Sequence, residues 1–83
     1  MTEQWLRCHI LQGMFSDERT IVVYSKSGER IAEFVPKDKV VGEINEDGKL
    51  RVKVFQNNGT TWAVLPTDYS ESIPVRNEDL VTA

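Results

Sequence analysis

The Asn58-Gly59 pair constrains the fold of this chain more than any other feature of its sequence. Before it, residues 50–55 alternate apolar and charged side chains up to Phe55, and after it residues 60–65 lead away in a second run of strand-forming residues. Asn-Gly between two such runs favours a two-residue type I′ turn, because both central residues of that turn need a positive φ. The pattern therefore predicts an antiparallel hairpin.

Similar patterns predict strands along the rest of the chain. The segments that alternate or concentrate apolar and β-branched residues are 5–12, 20–24, 30–35, 39–44 and the short 73–75. Residues 20–24 are almost all β-branched or aromatic, which is typical of a strand that is buried on both faces or lies at the centre of a sheet. We expect a turn at residues 45–48 and one helical turn at 77–81, with Asn77 as its cap and Leu80 docked on the core.

These strands predict a small all-β fold. Six or seven short antiparallel strands, with turn residues about every eight to twelve positions, are typical of a small barrel or sandwich. No segment of ten or more residues has helical periodicity, which excludes alternating strands and helices. We expect residues 1–83 to form a single-domain, SH3-like, partly open barrel, in preference to an OB-type barrel, which usually carries a helix.

Charge disfavours nucleic acid and membrane partners. The chain has 10 Lys and Arg against 13 Asp and Glu, for a net charge of −3. Nucleic-acid binding depends on clustered cations that release counterions from phosphates, and anionic membranes attract basic segments. The one local excess of cations is Lys49, Arg51 and Lys53, on one face of a predicted strand.

A single cysteine and the absence of long apolar runs indicate a cytoplasmic protein. One cysteine cannot form an intrachain disulfide, and small domains without disulfides are typical of reducing compartments. The polar N-terminal residues precede an apolar run that is too short for a signal peptide, and no segment is long enough to span a bilayer.

The chain offers no pattern typical of catalysis or metal binding. Cys8 and His9 are neighbours on a predicted strand, so their side chains point to opposite faces, and no second Cys or His completes a zinc site. The acidic turn at 45–48 is too short for a calcium loop, and the five glycines are isolated. We expect no enzyme activity, no metal and no cofactor, with Cys8 buried in the core.

Aromatic residues are the remaining candidates for function. Phe55 lies on the same predicted face as Arg51 and Lys53, opposite Leu50 and its core-facing neighbours. It either projects into solvent beside the cations, where it could anchor a partner or stack on a nucleobase, or packs across the hairpin on Trp62 or Thr61. Both alternatives remain open at this point.

Two loops carry further candidates. Met14 and Phe15 form an apolar pair in a polar loop, and we expect them to plug one end of the barrel, with contact to a partner as the alternative. Tyr69 lies in the polar loop between two prolines and could join the same surface. The candidate partner-binding residues are Phe55, Arg51, Lys53, Tyr69, Met14 and Phe15.

The sequence therefore predicts a non-enzymatic interaction module. It would bind another protein, or a second copy of itself, through a sheet face that carries aromatic residues. The alternative is a binder of single-stranded nucleic acid that uses the Lys, Arg and Phe side chains of residues 49–55.

Overall fold

The computed structural model describes residues 1–81, which form one strongly curled antiparallel sheet, a half-barrel. Its eight strands are β1 (Thr2–Gln12), β2 (Glu18–Tyr24), β3 (Arg30–Pro36), β4 (Val40–Val41), β5 (Asp47–Asn57), β6 (Thr60–Val64), β7 (Ser72–Val75) and β8 (Leu80–Val81). The sheet order is β3-β2-β1-β5-β6-β7, with β4 beside β5 and β8 beside β1. Two 3₁₀ turns, Lys37–Lys39 and Asn77–Asp79, precede the two shortest strands.

The two eleven-residue strands β1 and β5 form the central ladder of the sheet. They pair through eight residue pairs, from Thr2 opposite Val54 to His9 opposite Asp47. Each of the two strands also pairs with two others: β1 pairs with β2 and β8, and β5 pairs with β4 and β6. Both halves of the curled sheet are therefore joined through this one ladder.

The core lies on the concave face of the sheet, where every second residue is buried. Its buried members are Leu6, Cys8, Ile10, Ile21, Val23, Val35, Leu50, Val52, Val54, Ala63, Leu65, Ile73 and Val75. The predicted burial of Cys8 and of alternate residues in β5 is confirmed. Val22, on the opposite face of β2, is buried as well, whereas Tyr24 on that same face is exposed, so the outer face of this strand is covered only in part.

The predicted hairpin is confirmed in detail. Asn58 and Gly59 have φ values of 52° and 78°, and they connect β5 to β6 as a two-residue loop that follows the Asn57–Thr60 pair. Both residues have the positive φ that a type I′ turn requires. The turn residues thus set which side chains of β5 and β6 face each other.

The predicted turn at 45–48 and the predicted strand at 39–44 are both displaced. Strand β4 contains only Val40 and Val41, because Gly42 takes a φ of 134° and ends the ladder there. The turn is completed at Asn45, whose φ is 70°, and β5 already begins at Asp47. The predicted six or seven strands become eight because Leu80 and Val81, expected as part of a helical turn, form the two-residue strand β8.

The end of the described chain differs from the prediction in its capping. The 3₁₀ turn Asn77–Asp79 forms as expected, but Arg76 occupies the capping position and makes no side-chain cap bond. Asn77 instead accepts a hydrogen bond at Oδ1 from the Thr61 hydroxyl, with an O–O distance of 2.9 Å. Leu80 packs against the core as predicted, and it also starts β8.

The structure confirms the predicted fold class at the level of a small, all-β, antiparallel and partly open sheet. Within residues 1–81, no helix has the length and apolar character needed to cross a membrane. The finer assignment to an SH3-like barrel stays a prediction.

Close backbone packing at Gly48 holds the β4–β5 loop against the core. The Ile10 N–H donates to the Glu46 carbonyl at 2.9 Å, and the Asn45 N–H donates to the Ile10 carbonyl at 2.6 Å. A Cβ atom built on Gly48 would lie 2.3 Å from the Val41 carbonyl oxygen and 2.5 Å from Cδ1 of Ile10. Only glycine fits at this position without moving backbone.

We therefore expect Gly48→Ala to lower the free energy of unfolding by about 2–3 kcal/mol through overpacking. Urea denaturation of the two proteins measures this loss. Gly59→Ala is the control, because nothing lies within 4 Å of the added Cβ and only the positive φ opposes it, at about 1 kcal/mol. A smaller loss at Gly48 than at Gly59 would contradict the packing described here.

Candidate functional site

The outer face of β5 carries three of the predicted binding residues. Arg51, Lys53 and Phe55 alternate with the core residues of β5 and share its convex side, as the sequence predicted. Phe55 lies opposite Trp62 in the register, and the two rings are nearly parallel, at 7°, with centroids 6.3 Å apart. Phe55 therefore has the cross-strand arrangement, with Trp62 as its ring partner.

Arg51 also has partners within the chain. Its Nη2 donates to Oε2 of Glu3 at 2.8 Å, and its guanidinium carbon lies 5.2 Å from the centroid of the Trp5 ring. This hydrogen bond, together with the charge of Arg51, lowers the pKa of Glu3. The sequence did not indicate Glu3 or Trp5 as partners, because only the β1–β5 register places them beside Arg51.

A cleft of about 390 Å³ lies between β3 and the loop of residues 66–71. We call it the edge cleft, and six of its lining residues are Asp17, Glu33, Phe34, Pro36, Asp68 and Tyr69. It combines apolar rings with carboxylates along the last strand of the sheet.

Two exposed aromatic side chains line the edge cleft. Tyr69 is 89% exposed and Phe34 is 51% exposed. The loop that carries Tyr69 is closed by its own backbone, since the Leu65 N–H donates to the Glu71 carbonyl at 2.8 Å and the Ser70 N–H donates to the Thr67 carbonyl at 3.0 Å. Sequence reasoning selected Tyr69 but missed Phe34, whose place on a sheet edge depends on strand order.

Met14 and Phe15 do not plug the barrel, so that expectation is wrong. Their side chains are 71% and 66% exposed. The Glu18 carboxylate accepts hydrogen bonds from the backbone N–H groups of both residues, at 2.9 and 3.3 Å, and this holds the loop while its side chains face solvent. The same loop continues into Asp17, which lines the edge cleft.

The edge cleft is anionic. Asp17, Glu33 and Asp68 line it. Burial and the contact with Glu71 raise the pKa of Glu33. The ion pairs found within residues 1–81 are Arg51–Glu3 and Arg76–Asp79, and the His9 ring contacts Asp47, so none of these groups neutralises the carboxylates of the cleft.

Cys8 and His9 point to opposite faces, as predicted. Nδ1 of His9 lies 2.8 Å from Oδ1 of Asp47 on the outer face, whereas Cys8 is buried in the core. Burial, with a smaller contribution from Asp47, raises the pKa of the Cys8 thiol from 9.0 to about 11. Within residues 1–81, no three His, Cys, Asp or Glu side chains group together in a way that could hold a metal ion.

No family model, curated protein or solved structure matches this chain. The two candidate surfaces are therefore distinguished by their own geometry. On the outer face of β5, Phe55 and Arg51 contact Trp62, Trp5 and Glu3. In the edge cleft, exposed rings lie beside carboxylates, which makes it the stronger candidate for binding.

We expect Phe55→Leu to lower the free energy of unfolding by about 1 kcal/mol, because it removes an aromatic pair that joins β5 to β6. The matched control is Phe34→Leu, the same substitution at an exposed edge residue, with an expected loss below about 0.5 kcal/mol. Urea denaturation of both variants gives the comparison. Equal losses would show that the Phe55–Trp62 contact adds no stability.

We also expect stability to fall between pH 9 and pH 11 because of Cys8. Below pH 9 the thiol is protonated in both the folded and the unfolded state, so its contribution to the free energy of unfolding is fully present there. Above pH 9 only the unfolded chain releases the proton, which lowers the free energy of unfolding by up to about 1.4 kcal/mol per pH unit. Unfolding measured across this range for wild type and Cys8→Ala should give profiles that diverge; parallel profiles would contradict the raised pKa.

Proposed function

We propose that this protein is a non-enzymatic interaction module that binds a partner protein at the edge cleft. The observation that carries the proposal is the exposure of Phe34 and Tyr69 on the walls of one cleft, next to the loop that exposes Met14 and Phe15. Clustered exposed apolar side chains on a small protein usually mark an interaction surface, and aromatic residues are enriched at such surfaces.

The surroundings of the potential reactive groups support a role other than catalysis. Cys8, the only cysteine, is buried with a raised pKa, so it is a poor nucleophile. His9 lies on the opposite face from Cys8, beside Asp47, and so cannot activate it. Because its candidate reactive groups lie on opposite faces, this small fold is better suited to binding a partner than to catalysis.

Binding of single-stranded nucleic acid by the outer face of β5 has less support. Glu3 forms an ion pair with Arg51, and the Phe55 ring lies against Trp62 rather than free for a nucleobase. The net charge of −3 also opposes contact with phosphates. This function stays a prediction behind protein binding.

The proposal includes a cytoplasmic location and an SH3-like arrangement of the barrel. A single cysteine, buried and unpaired, fits a reducing compartment. The open edge of the half-barrel fits a partly open barrel of the SH3-like kind, by analogy of architecture alone.

Site-specific photo-crosslinking tests the proposed function. A benzophenone amino acid replaces Tyr69 in the edge cleft, and in a control variant it replaces Tyr24, which is also exposed but lies outside the cleft lining. Irradiation of cells that produce each variant should give a protein adduct of discrete mass from position 69 and none from position 24. Light scattering on the purified chain shows whether the adduct is a second copy of it.

Two outcomes would contradict the proposed function. Absence of any discrete adduct at position 69, with a strictly monomeric chain, would exclude the proposed function. An adduct that nuclease treatment removes would favour the nucleic-acid alternative instead.

A further inference from the structure

We infer that the edge cleft takes an extended, Lys- or Arg-rich segment of the partner, which adds as a strand to the free edge of β3. This inference rests on the proposed function and specifies the chemistry of the partner. It combines three features of the same place: an unpaired sheet edge, uncompensated carboxylates and alternating side chains.

The edge of β3 is available for pairing. Strand β3 pairs with β2 through seven residue pairs and is the last strand of the sheet on that side. Within residues 1–81, no backbone hydrogen bond links its other side to another segment. An edge strand leaves a row of N–H and C=O groups unpaired, and extended peptides bind proteins by supplying the missing strand.

The opposite edge of the sheet is less accessible, which favours β3. On β7, the Pro74 carbonyl already accepts a hydrogen bond from the Lys26 N–H at 2.7 Å. Strand β7 also has four residues against seven in β3. The edge cleft, moreover, lies along β3 from Glu33 to Pro36.

The charge beside this edge selects a cationic segment. Asp17, Glu33 and Asp68 line the edge cleft, and no ion pair found in the described part of the chain compensates them. Burial and the nearby Glu71 raise the pKa of Glu33, because both disfavour the negative charge of that carboxylate. A Lys or Arg side chain of the partner would place a positive charge beside Glu33 and favour that carboxylate.

The alternation of β3 predicts the sequence pattern of the segment. Phe34 pairs with Thr20 on the outer face, whereas Glu33 pairs with Ile21 on the inner side. Side chains of an added strand would lie alternately beside Phe34 and beside Glu33. The expected segment therefore alternates apolar residues, placed against Phe34, with Lys or Arg, placed against Glu33.

Titration with designed peptides tests this pattern. The probe is a decapeptide of alternating Val and Lys, and the control has the same composition as five Lys followed by five Val. Amide NMR shifts of the 83-residue chain should saturate with the alternating peptide and concentrate in residues 31–36 and 66–71. The affinity should fall about tenfold or more between low and high salt, because salt screens exposed charges.

Variants of the protein test the contribution of the cleft carboxylates separately from that of backbone pairing with β3. Glu33→Gln combined with Asp68→Asn should weaken binding about tenfold, whereas Glu43→Gln combined with Glu46→Gln changes the net charge equally at exposed positions outside the cleft and should leave it unchanged. The spectrum of each free variant shows whether it keeps the native fold.

Changes made in the peptide leave the protein unaltered, so a loss of binding cannot come from misfolding of a variant. N-methylation of alternate peptide amides, at the Val or at the Lys positions, removes the donors on one side while keeping every charge. One of the two peptides should lose at least about tenfold in affinity, since backbone pairing supplies much of the affinity in strand addition. If both bind like the unmethylated peptide, strand addition is overturned.

The remaining outcomes distinguish this inference from the proposed function. A protein adduct at position 69 without binding of the alternating Val-Lys peptide would overturn the inference that a basic segment adds to β3. The proposed function, binding of a partner protein at the edge cleft, would be unaffected. Equal binding of an alternating Val-Glu peptide, or a dimer of the chain seated on β3, would also overturn it. Absence of both the adduct and the peptide binding would exclude both proposals.

Discussion

The β1–β5 ladder is the interaction on which the rest of the structure depends. Its eight residue pairs place Leu6 against Leu50 at the centre of the concave face, and the two strands together contact four further strands. The same register sets the convex face, where it brings Glu3 and Trp5 to Arg51. A one-residue slip would exchange the two faces, so core and surface are specified together.

Curling of this sheet brings its two ends close, but the end strands β3 and β7 do not pair with each other. Glu33 of β3 and Asp68 of the loop before β7 line the edge cleft, which forms where the barrel stays open. An open edge is normally an aggregation hazard, and charged side chains are one way in which proteins protect it. The carboxylates along β3 fit this protective role, and in our proposal they also select a cationic partner. Protection and recognition then depend on the same charges.

Sequence patterns correctly predicted the features that depend on residues adjacent in the sequence. The Asn58-Gly59 hairpin, the buried alternation of Leu50, Val52 and Val54, and the burial of Cys8 were all predictable, because turn conformation and strand period are local properties. The short β4 was mispredicted because Gly42 adopts a positive φ in a loop packed over Ile10. The exposure of Met14 and Phe15 was missed because it depends on hydrogen bonds that their backbone N–H groups donate to the Glu18 carboxylate.

The sequence by itself therefore determined an all-β chain, its principal hairpin and which residues of each strand share a face. Only the tertiary structure decided which strand lies at the edge, and hence that Phe34 and Glu33 border an open cleft with Tyr69 and Asp68. It also decided that Phe55 and Arg51 have partners in the chain while Tyr69 stays exposed. The physical reason is that alternation fixes the direction of a side chain, whereas its neighbours depend on strand order and sheet curl, which many distant contacts set together.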